Sequence, residues 1–211
     1  GVTGAEVKEE DFSEHLFVVS TKDYLLLFTD KGQVHWLKVY EIPQGSRQSK
    51  GKSLVNLVEM ESGAKISSLV PVKEFSADKF LVMITKFGQI KKTQLDAYGN
   101  PRKGGIIGLA LDKGDELNGV EMTDGNQELL IGTRQGKAIK FSEAKVRKMG
   151  RAAHGVRGIS LAKKDEVIGM VVARKDTAIL TVTALGFAKR TTAEEYRLTS
   201  RGGKGIINIK V

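Results

Sequence analysis

The sequence predicts an all-β, propeller-like disc of four-stranded blades, and three observations carry that prediction. A turn motif recurs at TDKGQ (29–33), TKFGQ (85–89), TRQGK (133–137) and TALGF (183–187), placing Gly32, Gly88, Gly136 and Gly186 at intervals of 56, 48 and 50 residues. Apolar runs flank every copy in strand-like, period-2 patterns. A second glycine series, Gly1, Gly51, Gly105, Gly155 and Gly205, repeats at 50, 54, 50 and 50 residues. A repeat of about 50 residues with four short strands cannot bury both faces of its sheet alone, so it must stack on its neighbours as a blade.

Within each repeat the apolar run YLLLF, FLVMI, ELLIG or AILTV precedes the turn, and QVHWLKV, QIKKTQL, KAIKFS or FAKRT follows it. Such a pair reads as a β-hairpin whose glycine supplies the positive φ of a tight turn. The second glycine series opens a third strand in GVTGA, GKSLVNL, GIIGLAL, GVRGISL and GIINIKV. A fourth strand follows in KISSLVPV, ELNGVEMT and EVIGMVVA. The repeats therefore run approximately 1–50, 51–104, 105–154 and 155–204, with 205–211 starting or closing a blade. With 3 prolines in 211 residues and no polar low-complexity tract, the blade joints are the only expected boundaries in one domain. Because the chain starts and stops part-way through a repeat, the expectation is a piece of a longer array or a ring closed by its ends.

Composition narrows the function classes. The absence of cysteine removes disulfides and thiolate metal sites and fits a reducing compartment, so a cytoplasmic location is expected. No apolar run approaches the ~20 residues of a membrane span. The net charge is +9, but residues 1–75 carry 9 Lys/Arg against 11 Asp/Glu, whereas residues 76–211 carry 25 against 14. That asymmetry suggests a polyanionic partner.

The basic residues gather in loops around the second glycine series: SRQSKGK (46–52), NPRKGG (100–105), RKMGRAAHGVR (147–157) and RLTSRGGKG (197–205). GSRQSKGKS (45–53) superficially resembles a Walker loop, yet five residues rather than four precede its Gly-Lys-Ser and it leads into a predicted strand rather than a helix. As one of four like loops on like blades, it belongs to a curved basic track suited to the phosphates of duplex DNA. The candidate contacts are Arg47, Lys50 and Lys52; Arg102 and Lys103; Arg147, Lys148, Arg151 and Arg157; and Arg197, Arg201 and Lys204. Lys91 and Lys92, with Lys189 and Arg190 at the matching strand position, are expected beside them. Neither stacking aromatics nor a recognition helix accompanies these loops, so weak sequence preference and strong salt dependence are expected.

No catalytic centre or cofactor site is expected in this chain. His15, His35 and His154 are scattered, without partners at metal-ligand spacing. Asp115 with Glu116 and Asp165 with Glu166 recur beside turns and read as solvated turn residues rather than acid/base pairs. Tyr98 and Tyr196 occupy the position of Ile42 and Val146 in the other repeats, which indicates packing. Trp36 reads as a core or inter-blade contact.

Taken together, LLLFTDKGQVHWLKVYEIP, SKGKSLVNLVEMESGAKI, GRAAHGVRGISL and SRGGKGIINIKV resemble the C-terminal DNA-wrapping domain of bacterial DNA gyrase A over essentially the whole chain. The resemblance implies a β-pinwheel of Greek-key blades whose basic rim wraps duplex DNA, supporting negative supercoiling by a type II topoisomerase. It also implies gyrase B and the remainder of gyrase A as partners, a monomeric isolated domain, and ATP and Mg used elsewhere in the holoenzyme. The family usually has about six blades, against four repeat lengths here, which again suggests part of a longer protein. Its hallmark Gln-Arg-Arg-Gly-Gly-Lys-Gly box is matched in part: Arg201, Gly202, Gly203, Lys204 and Gly205 agree, but Thr199 and Ser200 replace Gln-Arg.

Two other readings remain open on sequence. The C-terminal domain of the gyrase A counterpart in topoisomerase IV is similar, commonly with fewer blades and a degenerate box. A kelch or WD type interaction propeller also repeats at about 40 to 50 residues, but the single tryptophan matches neither signature.

Overall fold

The expected hairpins form where the turn motifs lie. The structure, a computed structural model, describes residues 16–211, so GVTGA and His15 fall outside the described residues. In chain order the strands are β1 (Tyr24–Thr29), β2 (Gln33–Lys38), β3 (Ile66–Val72), β4 (Phe80–Thr85), β5 (Gln89–Gln94), β6 (Ile106–Ile107) and β7 (Leu117–Thr123). They continue as β8 (Glu128–Thr133), β9 (Lys137–Ser142), β10 (Val156–Arg157), β11 (Val167–Val172), β12 (Ala178–Val182), β13 (Ala188–Thr192) and β14 (Ile206–Ile207). There is no α-helix among the described residues. The turn glycines Gly32, Gly88, Gly136 and Gly186 have φ of +77°, +84°, +75° and +83°, the left-handed region that a side chain would strain.

Three sheets are four-stranded, in the orders β3-β1-β2-β6, β7-β4-β5-β10 and β11-β8-β9-β14. All the recorded strand pairs are antiparallel. The order corrects the expected strand assignment. The segment opening at Gly105 does not complete its own hairpin's blade; its strand β6 pairs back onto β2 of the preceding blade. Likewise β10 pairs with β5 and β14 with β9. The chain then returns to its own blade through β7 or β11. Each joint is thus an exchange of strands rather than a simple abutment.

GKSLVNL departs from the expected strand altogether. No earlier hairpin lies among the described residues to receive it, and Leu54–Asn56 forms a 3-10 turn instead. Leu54, Leu57 and Val58 cover the face of the first sheet that bears Leu25, Leu27 and Leu37. Further 3-10 turns follow the hairpins at Val39–Glu41, Leu95–Tyr98, Glu143–Lys145 and Ala193–Glu195, a feature the strand patterns did not announce.

Alternation along the strands distributes the core between blades. Leu26 and Phe28 of β1 meet Leu81 and Met83 of β4 in one cluster; Val82 and Ile84, on the opposite face of β4, meet Leu129 and Ile131 of β8 in the next. Burial of one such side chain contributes about 1.5–3 kcal/mol, so joints between blades hold the array. Tyr98 is buried in the first of these clusters, where half-buried Trp36 packs against it, and Tyr196 in a third with Leu130, Ala138 and Ala193. The last hairpin, β12–β13, has no strand partner at either edge among the described residues, and Leu180, Val182, Leu185 and Phe187 are exposed.

Candidate nucleic-acid interface

The strand exchange gives the basic loops a common address. Every loop that precedes a back-pairing strand must pass over the outer strand of the previous blade, and the glycine at its end is where it passes closest. A Cβ on Gly105 would lie 2.9 Å from the carbonyl oxygen of Val34, on Gly155 2.8 Å from that of Ile90, and on Gly205 2.7 Å from that of Ala138. These glycines therefore serve backbone approach to a neighbouring strand. Gly51, without such a strand beneath it, has nothing within 4 Å.

Successive loops are also sewn together. Ala110 N donates to Ala153 O at 3.3 Å, and fifty residues later Ser160 N donates to Gly203 O at 2.9 Å. The second seam adds Gly202 N to Gly158 O at 2.6 Å and Ser160 Oγ to Gly202 O at 2.7 Å. Each seam thus joins the stretch after one back-pairing strand, at Ala110 or at Gly158 and Ser160, to the following basic loop, 147–155 or 197–205, and these loops with the loop at 99–105 make up the rim. Exposed on or beside it are Arg102, Lys103, Arg147, Lys148, Arg157, Arg197 and Lys204. Arg47, Lys50 and Lys52 are exposed on the loop after the first 3-10 turn, and Lys189 and Arg190 on β13. Exposed Lys103 pairs with exposed Glu59 at 3.1 Å.

Other expected contacts sit elsewhere. Lys91 is 0% exposed, and its ammonium donates to Gly108 O at 2.7 Å, to Arg151 O, and more weakly to Ala153 O at 3.4 Å. Burial, with the Arg151 charge adding to it, pulls its pKa down to about 7. Lys92 is buried too, donating to Glu143 O at 3.0 Å. Arg151 is half-buried. Arg201 donates from Nε to Lys145 O and from a terminal guanidinium nitrogen to Arg157 O, both at 2.9 Å. Lys91 and Lys92 are thus buried in holding backbone together, whereas half-buried Arg201 holds backbone through bonds that lie at the surface.

The reason is a repeated inter-blade bolt that the sequence reading missed. Four residues after the first three turn glycines stand Trp36, Lys92 and Lys140. Trp36 Nε1 donates to Tyr98 O at 2.8 Å, Lys92 Nζ to Glu143 O, and Lys140 Nζ to Ala193 O at 2.9 Å, each acceptor lying in the 3-10 turn of the next repeat. The equivalence with Trp36, expected at a blade joint, was the available signal that these lysines point inward.

The carboxylates also differ from expectation. Asp115 and Asp165 are buried, not solvated. Asp115 Oδ1 accepts from Phe87 N and Glu116 N, and Asp165 Oδ1 from Gln135 N and Glu166 N, all at 2.9 Å, tying the hairpin turns to the returning strands. His35 is buried with Nε2 unpartnered, and burial lowers its pKa. His154 lies 3.2 Å from Asp112. Among the described residues no group of three His, Asp or Glu is placed to hold a metal ion, and no helix is long and apolar enough to cross a membrane.

This geometry has known counterparts. The family described as DNA gyrase C-terminal domain, beta-propeller, matches residues 23–73, 79–124, 127–174 and 177–211, one stretch for each hairpin. DNA gyrase A of Salmonella typhimurium is 44% identical over 211 residues, and that of Staphylococcus aureus 44% over 209. These matches cover 100% and 98% of this chain but 24% of each relative, so the chain spans about a quarter of their length. Among solved structures, the C-terminal domain of DNA topoisomerase IV superposes with a TM-score of 0.81 at 30% identity, covering 89% of this chain and 58% of that one. The DNA gyrase A C-terminal domain gives 0.77 at 22% identity, covering 89% and 60%, a likeness of fold. With its four matched stretches falling on the four hairpins of a β-pinwheel, the chain belongs to the DNA gyrase C-terminal domain family.

Proposed function

We propose that this chain is the DNA-wrapping module of a gyrase: it binds duplex DNA without sequence preference along the stitched rim and bends it with one hand. The carrying observation is that each of the three rim loops exposes two cations, Arg102 and Lys103, then Arg147 and Lys148, then Arg197 and Lys204, with Arg147 and Arg197 at the matching position eight residues before Gly155 and Gly205. Contacts to phosphates position a duplex but carry no direct sequence readout. On this reading the remainder of gyrase A, together with gyrase B, supplies strand passage and uses ATP and Mg in the bacterial cytoplasm, while this module supplies the hand of the wrap. The identity of the curated relatives favours gyrase over topoisomerase IV, and the family match leaves the interaction-propeller reading without support.

The test is to bind the chain to nicked circular plasmid, seal the nick, remove protein and compare linking-number distributions with a protein-free control. A dose-dependent shift of one sign is expected; no shift at saturating protein would overturn chiral wrapping by these repeats. Affinity measured against salt should follow a log–log slope of roughly −9 if about ten phosphates are engaged. A shallow slope would remove the phosphate track.

A further inference from the structure

The box-like loop carries an arginine that is already engaged with backbone through two of its guanidinium nitrogens. The two acceptors of Arg201, Lys145 O and Arg157 O, are backbone groups of the preceding repeat: one in the 3-10 turn after β9, the other on β10. The guanidinium therefore bridges two elements 12 residues apart in sequence and draws its own loop, residues 197–205, onto both. Gly202 and Gly203 lie beside it with their backbone bonds to Gly158 and Ser160. In the previous loop Arg151 stands at the matching position, four residues before the glycine, yet its side chain makes no such bond among the described residues. The cation closing that seam is Lys91, donating from below. In the later seam the place of Lys91 is taken by Ile139, which is apolar and 3% exposed. In that seam Gly158 O and Gly203 O, the counterparts of the Lys91 acceptors Gly108 O and Ala153 O, receive Gly202 N and Ser160 N, and Arg201 adds a side-chain donor to two further carbonyls.

We propose that Arg201 is a positioning residue for DNA wrapping: it clasps one basic loop to the next so that Arg197 and Lys204 meet the duplex in register with Arg147 and Lys148. The proposal rests on the wrapping function above and deepens it. The clasp depends on a planar fork that donates in two directions at once, which a lysine's single ammonium does not reproduce. A direct phosphate contact depends mainly on charge, which lysine keeps.

The full chain is compared with Arg201→Lys and Arg201→Ala by salt-dependent binding to a linear duplex of mixed sequence, by the plasmid-ligation shift, and by hydrogen exchange at the Gly202 and Ser160 amides. If Arg201 clasps, both variants speed exchange at those amides, reduce the ligation shift and lower the salt slope by about 2, as Arg197 and Lys204 lose their register. Lysine then gives no rescue. The proposal is overturned if Arg201→Lys matches the wild type in slope and shift while Arg201→Ala lowers the slope by about 1, the signature of one lost phosphate contact. It is overturned equally by unchanged exchange in both variants. Absence of any binding by the wild-type chain would instead remove the wrapping function itself, with the exchange measurement still reporting whether the clasp exists.

Discussion

The two seams of the basic rim share a backbone bond, Ala110 to Ala153 in one and Ser160 to Gly203 in the other, but are fastened from opposite sides. In the first, the cation rises from the blade beneath: Lys91 is rooted on β5 and reaches up to the loop carbonyls. In the second, it descends from the loop, because Ile139 occupies the strand position and Arg201 reaches down to β10 and the 3-10 turn. Each seam is braced by one cationic side-chain donor, but at different carbonyls: Lys91 reaches Gly108 O, Arg151 O and Ala153 O from a buried position, whereas Arg201 reaches Lys145 O and Arg157 O, both on exposed residues. Which strand or loop supplies that donor is free to vary. The difference has a consequence for function, because a donor rooted in the blade is fixed by the core whereas a donor on the loop is available only when the loop is docked.

The largest effects should come from the glycines that let the seams form. Gly205→Ala adds a Cβ 2.7 Å from Ala138 O at a φ of +71°, combining overlap with left-handed strain, and should cost about 3–5 kcal/mol. Gly155→Ala meets Ile90 O at 2.8 Å without that strain and should cost about 1–3 kcal/mol. Gly51→Ala, at a φ of +71° over open space, should cost about 1 kcal/mol. Urea unfolding of the three variants checks the ranking, and equal costs would mean that the loops do not dock on the preceding strands as described.

Lys91 is the next largest. Of its three acceptors, Gly108 O also receives Tyr98 Oη and Ala153 O receives Ala110 N, so Lys91→Met orphans only Arg151 O. The loss should be about 1–3 kcal/mol. Its pH signature is more telling. The folded pKa of about 7 lies below the ordinary 10.5, so between those values the unfolded chain binds more protons than the folded one and stability rises with pH. Unfolding free energy should increase by about 1–2 kcal/mol from pH 7 to pH 9. Lys91→Met should lack that rise; an identical rise in the variant would show that the ammonium is not held as described.

Much of this was legible because a hairpin announces itself locally. The turn motifs at Gly32, Gly88, Gly136 and Gly186 and their flanking apolar runs lie within a dozen residues of one another, and every one forms the expected turn. The exchange of β6, β10 and β14 was not legible, since a two-residue strand such as Ile106–Ile107 has too little pattern to name its partner. Lys91 and Lys92 were misplaced for the related reason that period-2 alternation assigns one strand to two faces but does not reveal that the next repeat covers both. The basic loops themselves were legible as a set. That Arg201 and Arg151 part company at matching positions was not, because the divergence depends on Ile139 standing where Lys91 would be.

Exposed rim cations should affect binding with little effect on folding, which separates them from the two fasteners. Arg147→Ala with Lys148→Ala removes two exposed charges after the third 3-10 turn that follows a hairpin. The salt slope should fall by about 2, similarly on unrelated duplexes, while the urea midpoint stays within the ~0.5 kcal/mol expected of surface changes. Loss of binding on one sequence alone would contradict backbone recognition.

The smallest effect concerns the first loop of the rim, where Lys103 is already paired with Glu59. Both side chains are largely exposed, at 87% and 64%, so the pair contributes about 0–1 kcal/mol, and Glu59→Gln should leave the urea midpoint nearly unchanged. Binding is a different matter. The carboxylate stands 3.1 Å from a candidate phosphate contact and opposes any phosphate that approaches it. Glu59→Gln should therefore tighten duplex binding, by less than about tenfold at low salt, with the gain fading as the Debye length shortens toward ~3 Å at 1 M. Lys103→Ala should act in the opposite direction on the same duplex. Weaker binding by Glu59→Gln would mean that the rim between Glu59 and Lys103 faces something other than DNA, and that the phosphate track begins one blade later, at Arg147.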